Sequence, residues 1–173
     1  MKRIQLNTNL YLDELVDPVT YFTEPDNGLS KIDSALIDIF QLLRDKHGDV
    51  ININGWWDDL PVDMVVFDPN AFLELMIAKK VAVWSGYRSP LCKIGASKSA
   101  HKKGKAIDPK GDEKKFMQIV RDNAQQFYDL GLRRLEDIKI TNGWLHMDTL
   151  EQNTQPNSLR VVDLKKCTET IYL

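Results

Sequence analysis

Apolar positions recur with two different periods along this chain, and each period predicts a different kind of element. Ile32, Leu36, Ile39, Phe40 and Leu43 return every three or four residues, the stripe of an amphipathic helix. Ser30 reads as its cap with Asp33 completing a capping box, and Gly48 reads as its stop. A second helix is predicted from Asp68-Pro69, with proline in the first turn and Phe72, Leu75 and Met76 facing inward. Asp112 reads as the cap of a third, which carries Phe116, Ile119, Val120 and Phe127 and ends at Gly131.

Elsewhere the period is two. Val50-Ile51-Asn52-Ile53-Asn54 alternates as a half-exposed strand should, before Gly55-Trp56-Trp57-Asp58-Asp59 opens a loop. Val81-Ala82-Val83-Trp84 reads as a short apolar strand feeding the loop that holds Arg88. Arg133 to Lys139 and Gly143 to Leu150 are separated by Ile140-Thr141-Asn142, and the Asn142-Gly143 pair favours a hairpin turn. Upstream, Asp17-Pro18 and Glu24-Pro25-Asp26-Asn27-Gly28 read as turns. The pattern predicts an α+β domain, helices packed on an antiparallel sheet, over residues 1–150. A polar run from Glu151 to Ser158 opens a C-terminal extension, 151–173, in which Leu159 to Leu164 forms an edge strand or an attachment tail.

A length of 173 residues allows a sizeable core, with 43% hydrophobic and 28% charged residues in an ordinary globular balance. The net charge of -2 gives no footprint for nucleic acid. Cys92 and Cys167 lie far apart and imply neither a disulfide framework nor a cysteine zinc knuckle. The first ten residues lack the apolar core of a signal peptide, and no stretch approaches a membrane-spanning length. The expectation is a soluble protein made in the cytoplasm, with no membrane partner.

The candidate chemistry lies in two short segments. Ser99-Ala100-His101-Lys102-Lys103-Gly104-Lys105-Ala106-Ile107-Asp108 and Gly143-Trp144-Leu145-His146-Met147-Asp148 hold two of the three histidines, each near a carboxylate. His101, Asp108 and His146 as three ligands, with a fourth position open, match a catalytic zinc site, and two imidazoles with one carboxylate suit zinc better than calcium or magnesium. On a strand, Trp144, His146 and Asp148 point one way while Leu145 and Met147 point the other. His47 ends the first helix, where a cation suits the helix dipole, and is expected to be structural. Trp56, Trp57, Trp84 and Trp144 read first as core or cleft wall, and second as a stacking platform.

Ser85-Gly86-Tyr87-Arg88-Ser89-Pro90, the Ser-x-His-x-x-Gly-x-Ala-x-Asp pattern at 99 to 108 and Trp144-Leu145-His146-Met147-Asp148 occur in that order. In this the chain resembles the zinc D-Ala-D-Ala carboxypeptidase family, which shares its fold with the hedgehog signalling domain and with phage cell-wall endopeptidases. The resemblance covers roughly positions 30 to 150. Asn54-Gly55-Trp56-Trp57, Cys92-Lys93-Ile94-Gly95-Ala96 and Leu130-Gly131-Leu132-Arg133-Arg134-Leu135-Glu136 are similar to the tailed-phage branch.

The resemblance implies a hedgehog/DD-peptidase-like fold and a zinc peptidase cutting peptidoglycan stem peptides. It implies His101, Asp108 and His146 as zinc ligands, and Arg88, assisted by Ser99, as the residues that bind substrate. A guanidinium suits that task because it grips a carboxylate through two parallel hydrogen bonds; the alternative is an arginine that ties its loop to the sheet. The lysine-rich run from Lys93 to Lys110 is either a solvated loop or an attractor of anionic wall peptide. Several family members place an acid three positions before the last histidine, where this chain has Gly143. Glu136 and Asp148 are the remaining candidates for proton transfer, with Asp148 equally suited to orient an imidazole. A phage origin would make virion or tail proteins further partners, with the wall reached by lysis, by a holin-like route or in the virion. The rival expectation is a zinc-binding structural or virion protein without catalysis, and a metal-free binding module is a third.

Overall fold

The computed structural model describes residues 3–7, 9–51, 53, 68, 71, 72, 74, 78, 86–90, 97–151, 156–163 and 166–173. They belong to two compact units, one of residues 1–32 and 53–104, the other of residues 33–52 and 105–173. Among the described residues no helix is long and apolar enough to cross a membrane. Trp56, Trp57, Trp84, Cys92, Leu75, Met76 and the Val81–Trp84 strand expectation lie outside the described residues.

In the first unit, β1 (Gln5–Asn7) pairs antiparallel with β2 (Leu10–Tyr11). Two short helices follow, α1 (Pro18–Thr23) and α2 (Pro25–Gly28). Both begin at the Asp-Pro and Glu-Pro pairs that read as turns. Proline at the first helical position lacks an N–H the helix would leave unbonded anyway, and its φ suits the helix. At α1 the Asp17 carboxylate also accepts from Thr20 N–H at 3.0 Å. Leu10, Leu12, Leu15, Val16 and Tyr21 form buried core here, as do Ile53 and Phe72. Asp68 accepts from Ala71 N–H at 3.2 Å, and Ala71 and Phe72 are helical.

The second unit carries α3 (Ala35–His47) and a five-stranded sheet. Leu36, Ile39, Phe40 and Leu43 are all 0% exposed, as their spacing predicts. Burying each contributes about 1.5–3 kcal/mol. The helix starts at Ala35 rather than Ser30, because Asp33 Oδ1 accepts from Ala35 N–H at 3.2 Å while the Ser30 hydroxyl donates to Asn27 O. Gly48 ends it, donating to Arg44 O.

The predicted third helix is two, α4 (Glu113–Asp122) and α5 (Ala124–Asp129). Asp112 caps α4 as expected, accepting from Lys114 and Lys115 N–H. The break falls at Asn123, whose side-chain amide donates to Ile119 O at 2.8 Å and so competes with the helical backbone for that carbonyl. Phe116, Met117, Val120 and Phe127 are buried, and Ile119 is only half-buried.

The sheet comprises β3 (Ala106–Ile107), β4 (Arg134–Glu136), β5 (Met147–Asp148), β6 (Ser158–Asp163) and β7 (Lys166–Tyr172), in the order β3-β5-β4-β6-β7. β5 pairs antiparallel with β4, as the hairpin signal predicts, and with β3 on its other side. β6, however, is parallel to β4. One reversal after β5 brings the chain back on the far side of β4, so the sheet is mixed and the predicted all-antiparallel arrangement is corrected. Residues 159–163 are also interior to the sheet, and the edge on that side is β7, antiparallel to β6. The α+β class holds. Ile107, Leu135, Met147, Leu159 and Val161 fill one face of the sheet and are buried, which leaves the alternate positions for polar chemistry.

Candidate metal centre

His101 stands in a 3-10 turn, Ala100–Lys103. Gly104 ends that turn at φ 66, where a Cβ would come within 1.6 Å of Lys31 O, so only glycine passes. The imidazole is 2% exposed, and its Nδ1 lies 2.8 Å from Gly86 O. A carbonyl only accepts, so Nδ1 carries the hydrogen and Nε2 keeps its lone pair for a ligand.

Asp108 follows β3 directly, and His146 directly precedes β5. The strand alternation works as predicted. Leu145 and Met147 are buried in the core face, while His146 and Asp148 take the other face, at 7% and 0% exposure. Asp148 Oδ2 accepts from Arg134 Nε at 2.7 Å and pairs with Nη2, also at 2.7 Å, and its Oδ1 accepts from Leu150 N–H at 3.1 Å. The same Oδ2 lies 3.1 Å from His146 Nε2. With Nε2–H directed at Asp148, the Nδ1 lone pair faces Asp108 Oδ1 at 2.8 Å.

Two electron-pair donors at that separation require a proton or a cation between them. Burial opposes charge on His146, yet the hydrogen bonds to Asp108 and Asp148 and their negative charges prevail, and its pKa is raised to about 10.

His101, Asp108 and His146 each offer one ligand atom, and these lie within 4.8 Å of one another. The group could hold a metal ion. The donor set is two imidazole nitrogens, each with a hydrogen bond at its other nitrogen, and one carboxylate.

The other predicted residues fall as follows. Arg88 is half-buried and its backbone N–H donates to His101 O at 3.2 Å. Ser99 is half-buried at the start of the His101 turn, its carbonyl accepting from Lys102 N–H. Glu136 lies on β4, half-buried, and its N–H donates to His146 O at 3.1 Å. By alternation it shares a face with Arg134, the register partner of Asp148. His47 packs edge-on against Phe116 with ring centroids 5.3 Å apart, the structural role expected of it. Burial pulls the Lys110 ammonium below its ordinary pKa, against the opposing charge of Asp108. Lys105 pairs with Asp33 at 3.5 Å.

Arg134 was not singled out by sequence reasoning. Its signal, an arginine one strand position before the core residue Leu135, becomes readable only once the β4–β5 register is known. No protein-family model matches the chain, and neither a curated protein nor a solved structure does.

Proposed function

We propose that this chain is a zinc-dependent peptidase that hydrolyses peptidoglycan stem peptides, as a D-Ala-D-Ala carboxypeptidase or a cell-wall endopeptidase, on a hedgehog/DD-peptidase-like fold. The observation that carries the reading is the approach of His101, Asp108 and His146 within 4.8 Å, from motifs whose order and spacing resemble that family. Zinc at this position supplies Lewis acidity to a scissile carbonyl and lowers the pKa of a water. Arg88 holds a substrate carboxylate by its guanidinium fork, and Ser99 assists. Glu136 takes a proton from the attacking water and returns it to the leaving amine. Asp148, engaged by Arg134, His146 and Leu150 N–H, orients the imidazole instead. The phage-like segments favour a viral or prophage source and a wall reached by lysis or from the virion, with tail proteins as partners.

A second reading, a zinc-binding structural or virion protein, draws on Gly143, which brings no acid to the position three before His146. Incubating the zinc-loaded protein with purified peptidoglycan, and weighing the products by mass, separates the two. Peptide release that a chelator and His146→Ala both abolish is the expected result. Intact peptidoglycan at stoichiometric zinc would overturn the peptidase reading.

A further inference from the structure

The segment ahead of α1 lies outside the region of family resemblance, yet it holds the Arg88 loop. Asp17 is 0% exposed. Its Oδ1 caps α1 through Thr20 N–H, and its Oδ2 accepts from Ser89 N–H at 2.6 Å, across 72 positions of sequence. Beside it Tyr87 N–H donates to Leu15 O at 2.6 Å, and Val16 bridges Tyr87 in parallel. Gly86 fits so closely that a Cβ would come within 2.1 Å of Leu15 O. Gly86 O in turn takes the Nδ1 hydrogen of His101, and Arg88 N–H bonds His101 O.

We infer that Asp17 is a positioning residue: by gripping the Ser89 amide it fixes the 86–90 loop, and through Gly86 O it sets the orientation of the His101 imidazole. The part of this that concerns Arg88 and substrate rests on the peptidase reading; the part that concerns His101 does not. A carboxylate can accept from both amides, whereas an asparagine accepts from one and turns an NH2 donor on the other. The grip acts through the Ser89 backbone. Among the described residues the buried Ser89 hydroxyl has no hydrogen-bond partner, so its removal leaves the loop in place.

The test uses the full chain with Asp17→Asn, with Ser89→Ala and with Asp112→Ala, a cap variant on α4 that controls for simple loss of Tm. Zinc affinity is read by competition with a chelating dye, and loop order by hydrogen exchange at the Ser89 amide. Asp17→Asn is expected to weaken zinc binding about tenfold, as loss of support behind a metal-bound histidine does. It should also speed Ser89 exchange and raise KM about tenfold with kcat within about twofold. Ser89→Ala and Asp112→Ala should leave zinc affinity and KM unmoved. A lower Tm for Asp17→Asn with unchanged zinc affinity and Ser89 exchange overturns the assignment, as does a Ser89→Ala protein that behaves like Asp17→Asn. If the parent protein releases no peptide, the peptidase reading fails alone, and zinc affinity and exchange still decide the role of Asp17.

Discussion

Arg134 and Asp148 face each other in register across β4 and β5, and both Nε and Nη2 of the arginine lie 2.7 Å from one carboxylate oxygen. Asp148 is 0% exposed, and the same oxygen also meets His146 Nε2 at 3.1 Å. Replacing Arg134 by alanine takes the guanidinium from a buried carboxylate and leaves it His146 Nε2 and the Leu150 N–H, whereas breaking a well-buried ion pair outright costs about 3–5 kcal/mol. Because the Arg134 side chain keeps 20% of its exposure, the lower end of that range is expected, about 3 kcal/mol. Urea unfolding of the metal-free Arg134→Ala protein measures it, and a loss under about 1 kcal/mol would show the pair to be solvent-screened.

Glu136 and Asp148 share a sheet face but should fail in different ways. Glu136→Gln removes a proton acceptor, so kcat should fall about 10²–10⁴-fold with zinc affinity unchanged. Asp148→Asn weakens the support behind His146, so zinc affinity should fall about 10–100-fold. Dye competition and steady-state peptide hydrolysis on both variants separate the roles. A Glu136→Gln protein with full kcat removes Glu136 from proton transfer.

Local chemistry was legible in the sequence and non-local chemistry was not. The stripe from Leu36 to Leu43 and the alternation from Leu145 to Asp148 depend on the helix and strand periods alone, and both are as read. His101, Asp108 and His146 join distant segments too, but they were findable because two short motifs carry them in the order seen in the family the chain resembles. The start of α3 was misplaced because Ser30 has a cap's chemistry, yet its hydroxyl bonds Asn27 O while Asp33 takes the Ala35 amide. Asn123 looked like one more polar helix position until its side chain took a helix carbonyl. The parallel β4–β6 pairing and the reach of Asp17 to Ser89 join distant segments, and no periodicity within either segment reports such a partner.

Asp33 makes stability depend on pH. Burial disfavours its charge, but hydrogen bonds from Thr149 and Ala35 and the charge of Lys105 outweigh that, and its pKa is lowered. A folded-state pKa below the unfolded one contributes stability that is present above the unfolded carboxylate range and is lost as pH falls through the folded pKa. The Thr149 hydroxyl donates to Asp33 Oδ2 at 2.7 Å, so Thr149→Val should cost about 1–2 kcal/mol at pH 7. That penalty should shrink under acid conditions, where Asp33 is protonated in both proteins. Unfolding curves followed from pH 7 down until the acid transition is complete check it, and a penalty that stays constant throughout would show that the bond does not depend on the charge.

Metal binding should appear as stability before any substrate is found. A ligand that binds the folded chain alone stabilises it by about 2.7 kcal/mol when its free concentration is a hundred times Kd. His101→Ala removes one of the three donors and also deprives Gly86 O of its hydrogen-bond donor, at a cost of about 1–3 kcal/mol without any metal. The two effects separate in one experiment. Zinc should raise the Tm of the parent protein and a chelator should reverse the rise, while the His101→Ala protein melts lower and responds little to either. His47→Ala serves as the control, since that ring packs on Phe116 and lies outside the His101, Asp108 and His146 group. It should lower Tm modestly and keep the full zinc response. An equal zinc shift in the parent and His101→Ala proteins would place the bound metal at other residues and remove the support for a catalytic zinc.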